Sequence, residues 1–184
     1  MDSERWLRCE TGATWLDLIA TVAKAYGPAP IERLTSADRL DAWFGAKGLR
    51  PAADASDADL SHARSVREAL RGLALATVRG ESWAAGDVEV VNAALADDRP
   101  LVLGAGGRLE GPRTPREALA RIARQAAEHL TGSAARTLRT CGDPECGLLF
   151  LDPGGRRRWC SAEVCGVRHR VRVHRQRQGG GGGG

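Results

Sequence analysis

The stretch CGDPECGLLFLDPGGRRRWCSAEVC, residues 141–165, holds four of the chain's five cysteines. Cys141 and Cys146 form one pair and Cys160 and Cys165 another, in the spacing C-x4-C-x13-C-x4-C. Gly142, Asp143 and Pro144 favour a tight turn inside the first pair, so both sulfurs can converge on one ion. The apolar run LLFLD is suited to a strand, DPGG is a turn signal, and RRRW is the expected returning strand. Ser161 can cap a helix starting at Ala162, which places Cys165 in its first or second turn. Tetrahedral Zn²⁺ takes two thiolate pairs arranged in this way. Clustered cysteines in a cytosolic chain favour metal over disulfides. The expectation is therefore a small treble-clef-like finger of knuckle, hairpin and helix. Cys141, Cys146, Cys160 and Cys165 hold its zinc, with the metal fixing the helix onto the hairpin. Four thiolates leave no open position, so the zinc is structural and not catalytic. His169 and His174 are competing ligands, read here as surface residues. Cys9 has no sequence partner and is read as a thiol without a role.

Moving outward, the finger runs into arginines. The chain has 27 Lys+Arg against 23 Asp+Glu, a net charge of +4. Residues 1–140 balance to zero, so all the excess lies in the last quarter. Eight arginines fall between 156 and 178: Arg156, Arg157, Arg158, Arg168, Arg170, Arg172, Arg175 and Arg177. They face a single acid, Glu163. On a helix Arg168, Arg172 and Arg175 share one side, while Val164, Val167 and Val171 form an adjoining stripe that can pack on the hairpin. Arginine forks onto phosphates and guanine edges, so this segment is a candidate DNA-binding surface. Arg168, Arg172 and Arg175 are the first choice for contact, and the other five support them. A solvated basic tail is the plainer alternative. The scarcity of lysine throughout the chain weakens any inference from the choice of arginine, but the local imbalance stands. Some arginines also offset the charge of −2 on a zinc tetrathiolate.

The rest of the chain reads as a mainly helical α+β domain over residues 1–135, followed by the finger at 136–178 and a flexible glycine tail at 179–184. TWLDLIATVAK puts Trp15, Leu18, Ile19 and Val22 on one helical face. A second helix follows Thr35 and Asp38 as a capping box and carries Leu40, Trp43 and Phe44. A third spans about Asp57 to Val78, with Leu60, Ala63, Val66, Leu70 and Leu73 inward and Gly80 as its cap. Asp87 can cap a short helix bearing Val88, Val91 and Leu95. PLVLGAGGRLEGP suggests a short β-hairpin. In TPREALARIARQAAEHLTG, Thr114, Pro115 and Glu117 make a box at the start, and Gly132 is the natural C′ residue. Leu119, Ile122, Ala126 and Leu130 form the inner face.

No enzyme signature is present: HExxH, P-loop and GxSxG motifs are all missing. GAGGRLEG lacks the strand–GxGxxG–helix order of a nucleotide loop. Arg64, Arg67 and Arg71, with Glu68 among them, read as a solvated ion-pair face. His62 and His129 read as surface or capping residues. No run of 18 apolar residues exists, and the charged start lacks a secretory h-region, so a cytoplasmic protein with no membrane contact is expected. The N-terminal domain is a candidate for a small-molecule effector, a protein partner or homodimerisation, with no residue naming which. An acidic protein partner for the finger is the alternative to DNA. RNA binding ranks third, since Phe150 and Trp159 are the only stacking candidates and both read as core.

The segment CGDPECGLLFLDPGGRRRWCSAEVCGVRHRVRVHRQR resembles the finger of the CGNR zinc-finger proteins. Leu149-Phe150-Leu151-Asp152, Arg157-Arg158-Trp159-Cys160 and Cys165-Gly166-Val167-Arg168 carry the likeness. Val167 stands where the family has Asn. The region with LDLIATV and ERLTSADRLDAWFGAKGL is similar to the ABATE domain that precedes this finger, with Ala20-Thr21 in place of the usual Asn-Thr. The resemblance implies a bacterial, stress-linked transcription regulator with zinc in its finger.

Overall fold

In a computed structural model the chain is described over residues 11–179, with side chains described as far as Arg175. The expectations for Cys9, for the side chain of Arg177 and for glycines 180–184 fall outside these bounds. The elements run α1 (Thr14–Ile19), β1 (Val22–Ala23), β2 (Ile31–Glu32), α2 (Ala37–Ala46), α3 (Asp57–Arg79), α4 (Ala85–Leu95) and α5 (Pro115–Thr131). A 3₁₀ turn (Ser133–Thr137) leads to β3 (Leu138–Thr140) and β4 (Leu149–Leu151), then a π-helical turn (Ala162–Gly166) and α6 (Val167–Gly179). The architecture is α+β and mainly helical, with two small antiparallel sheets, β1–β2 and β3–β4.

α3 is the axis of the molecule. Ser56 accepts from the Asp59 amide while the Asp59 carboxylate accepts from the Ser56 amide, a reciprocal cap that satisfies two otherwise unpaired donors. Leu60, Ala63, Val66, Leu70 and Leu73 are all buried along one side of it, as their spacing predicts. They meet Trp15, Leu18 and Ile19 of α1, Trp43 and Phe44 of α2, and Leu119, Ile122, Ala126 and Leu130 of α5. Truncating one of the fully enclosed leucines, such as Leu70→Ala, costs about 2–5 kcal/mol through lost transfer energy and the cavity left behind. Leu138 of β3 and Leu149 of β4 belong to this same cluster. The finger's hairpin is thus anchored in the helical core by its own side chains.

Several local expectations shift. α1 stops at Ile19, because the Thr21 hydroxyl and amide both turn back to the Leu18 carbonyl. Val22 then begins a strand instead of extending the helical face. α2 is capped by Ser36, which accepts from the Arg39 amide, and not by Thr35. Asp87 lies inside the first turn of α4, whose cap position is Ala84 without a side-chain bond. At α5 the Thr114 side chain accepts from the Glu117 amide as expected, but Glu117 returns its bond to Arg113, at 2.8 Å. Gly132 is extended rather than left-handed; it is needed because a Cβ there would lie 2.6 Å from the Glu128 carbonyl oxygen. The short hairpin at 101–110 does form, around the antiparallel bridge Leu103 to Leu109, with the Gly104 and Glu110 amides donating to the Arg108 and Val102 carbonyls.

Arg67 overturns the reading of a solvated face. It is buried, with two bonds to Glu32 of β2 (2.8 and 2.6 Å) and one to the Thr21 hydroxyl. A guanidinium fork meeting a carboxylate in this way fixes β2 against α3. Partial burial works to raise the Glu32 pKa, but the bonds and charge of Arg67 outweigh it, and the net shift is downward. His129 is likewise more than a surface residue: its Nδ1 accepts from the Trp15 indole at 3.0 Å.

Candidate metal centre

The first cysteine pair sits at the tip of the β3–β4 hairpin. Leu138, Arg139 and Thr140 pair with Leu151, Phe150 and Leu149, and the Cys141 amide donates to the Leu148 carbonyl at 2.8 Å. Between the strands, CGDPEC folds into a tight knuckle closed by the Cys146 amide on the Asp143 carbonyl. The strand that pairs with LFL therefore lies upstream of the first cysteine. RRRW is not a strand; it returns irregularly, and the Gly142 amide binds the Arg158 carbonyl at 3.0 Å. On the other edge of LFL the Leu151 amide donates to the Thr11 carbonyl at 2.8 Å, so that edge is taken by the N-terminal segment and not by RRRW. The Ser161 side chain accepts from the Val164 amide and caps the next turn, as expected. That turn is π-helical and carries Cys165 inward.

The four ligand sulfurs of Cys141, Cys146, Cys160 and Cys165 lie within 4.8 Å of one another. Cys160 Sγ is 3.6 Å from both Cys146 Sγ and Cys165 Sγ. A disulfide needs about 2.05 Å, whereas the edge of a tetrahedron with Zn–S bonds of about 2.3 Å is about 3.8 Å. The cluster has the second geometry. Cys141, Cys146 and Cys165 are buried around Phe150, with Leu148 and Trp159 packed alongside. Bonds from Cys146 and then Cys160 pull the Cys141 thiol well below its ordinary range, while the bond to Cys141 pushes Cys146 and Cys160 up and burial pushes Cys165 up. Crowding thus holds three of the four sulfurs as neutral thiols, and a zinc ion bound by all four is what would let them ionise together. The two histidines stand apart from this group: His169 pairs its ring with Trp159, centroids 4.8 Å apart.

Around the sulfurs the arginines divide into two sets. Arg168 and Arg172 turn to the knuckle, where the fully buried carboxylate of Asp143 accepts from them at 2.8 and 3.1 Å. Arg157 lies over the Phe150 ring and donates to the Cys160 carbonyl, and its amide donates to Asp152. Arg158 lies over Trp159. Arg156, Arg158, Arg170 and Arg175 are exposed and, among the described residues, have no carboxylate partner. The valines do not pack on the hairpin: Val164, Val167 and Val171 are 43%, 41% and 44% exposed. The salt bridges to Asp143 rotate α6 so that its row of arginines, one residue on, faces the knuckle. Asp143 looks like a turn former in the sequence; an acid enclosed between two metal ligands is the signal that marks its second role.

The knuckle is also tied to the N-terminal elements. The Ala25 and Tyr26 amides donate to the Cys146 and Glu145 carbonyls. Arg71 of α3 reaches the Gly147 carbonyl and covers the Tyr26 ring.

A four-sulfur site at the tip of a hairpin, closed by a capped helical turn, defines a zinc-finger protein, and residues 137–178 match the CGNR zinc finger. Residues 12–133 match the ABATE family, described as "Putative stress-induced transcription regulator"; the chain belongs to that family. No curated protein matches the chain. Neither matched family is an enzyme family. No helix among the described residues is long and apolar enough to cross a membrane.

Proposed function

We propose that this protein is a non-enzymatic, DNA-binding transcription regulator of the bacterial cytoplasm, acting in a stress response, whose finger presents α6 to duplex DNA. The supporting observation is the charge on the finger: five exposed arginines, Arg156, Arg157, Arg158, Arg170 and Arg175, flank a helix that carries no acid. A basic helix held by a structural metal is a recurrent way of presenting charge to a groove. Arg168 and Arg172 share their donors with Asp143, so their role in contact is secondary to the exposed set. Arg177, later in the same helix, completes the proposed contact set. The N-terminal domain serves as the input, through a small effector, a protein partner or a second copy.

The test is selection of duplexes from a random library by the zinc-loaded chain at two salt concentrations. A motif that persists at higher salt supports a sequence-specific regulator. Recovery of only unenriched, salt-labile DNA contradicts it and turns attention to an acidic protein partner.

A further inference from the structure

We infer that Val167 and Val171 form a thymine-reading ridge on α6, the specificity element of the DNA contact proposed above, on which this inference rests. Each is more than two-fifths exposed on a helix whose other exposed residues are mostly charged. At 100° per residue the two valines sit one turn apart, 40° from each other, on the same face. Arg170 lies on one side of them, and Arg175 with the Asp143-bound Arg168 and Arg172 lies on the other. The ridge is thus a short apolar patch between two cationic borders, with the exposed His174 beside Val167 on the Arg170 side.

That pattern selects among occupants. A second copy laid on this strip would bring two arginine-bordered helices face to face, with no acid on α6 to offset them. An extended duplex offers what the strip lacks: rows of phosphate on both walls of the major groove, with the C5 methyl of thymine on its floor as the apolar partner for a small aliphatic side chain. Val167 opens α6, and the N-terminal residues of a recognition helix are those that reach base edges. The Asp143 salt bridges hold Arg168 and Arg172 away from this face, so their charge borders the ridge without covering it.

Replacing thymine by deoxyuridine removes only that methyl group. Using the zinc-loaded full chain and duplexes taken from the random selection, we expect thymine at discrete positions of the bound motif. At those positions deoxyuridine should weaken binding about fourfold per methyl. Val167→Ala and Val171→Ala, both at exposed positions, should keep their zinc and show a clearly smaller deoxyuridine effect than the wild type. A motif without fixed thymine, or an equal deoxyuridine effect in wild type and valine variants, overturns the ridge while leaving DNA binding intact. Absence of duplex binding at any salt overturns the regulator reading itself. Capture of an acidic protein with loss of binding in the valine variants would assign the ridge to that partner instead.

Discussion

The Asp143 carboxylate, enclosed between Cys141 and Cys146, lies 2.8 Å from the Arg168 guanidinium in the first turn of α6. Its other oxygen takes Arg172, one turn on, at 3.1 Å. One buried acid therefore fixes both the rotation of the basic helix and its contact with the metal knuckle. Asp143→Asn keeps a turn-forming side chain but loses the charge that two guanidiniums share. We expect zinc to be retained and the finger to lose about 1–3 kcal/mol, with faster amide exchange over residues 167–175. Unchanged protection there would mean that the zinc and the Ser161 cap alone hold the helix.

Removal of the metal should reach beyond the finger. Cys160→Ser should abolish stoichiometric zinc binding, because three thiolates no longer close the tetrahedron. The helices should persist by far-UV circular dichroism, since their core residues come mainly from α1–α5. The melting temperature should nevertheless fall, because Leu138 and Leu149 join the finger to that core. A full zinc equivalent in the variant would refute the four-sulfur site.

Gly147 marks the seam between knuckle and helices. Its φ is +65°, and a Cβ there would lie 2.9 Å from both the Tyr26 ring and the Arg71 guanidinium. Gly147→Ala combines left-handed strain with a clash against a ring, and should cost about 1–3 kcal/mol. Thermal denaturation of the zinc-loaded protein checks this; a variant as stable as wild type would show that Tyr26 moves aside freely.

Acid sensitivity should arise in part from Glu32. Its pKa is lowered in the folded protein by Arg67, so its contribution is present above the unfolded carboxylate value and is lost as pH falls through the lower folded value. Stability should therefore decline with acidification in that window, and Glu32→Gln should be less stable at neutral pH with a flatter acid limb. Identical pH profiles for the two proteins would remove the pair from the account.

The four ligands, the Ser161 cap and the inner faces of α3 and α5 were legible in the sequence, because each depends on spacing along a continuous segment. What escaped depends on chain crossings. Arg67 looks like any exposed helical arginine until β2 brings Glu32 to it from 35 residues away. RRRW has the character of a strand, but LFL is paired by Leu138–Thr140, which local pattern does not single out. The valine stripe has the period of a buried face; its exposure follows from the rotation that Asp143 imposes on α6.

The most direct test of the central claim is the salt dependence of duplex binding, measured with and without zinc. Six arginine–phosphate contacts give a slope of log K against log salt of about −5. The account predicts a slope near that value for the zinc-loaded chain and strong weakening when zinc is chelated. A slope near zero, or the same affinity and slope after chelation, would contradict a zinc-held helix as the DNA-binding element.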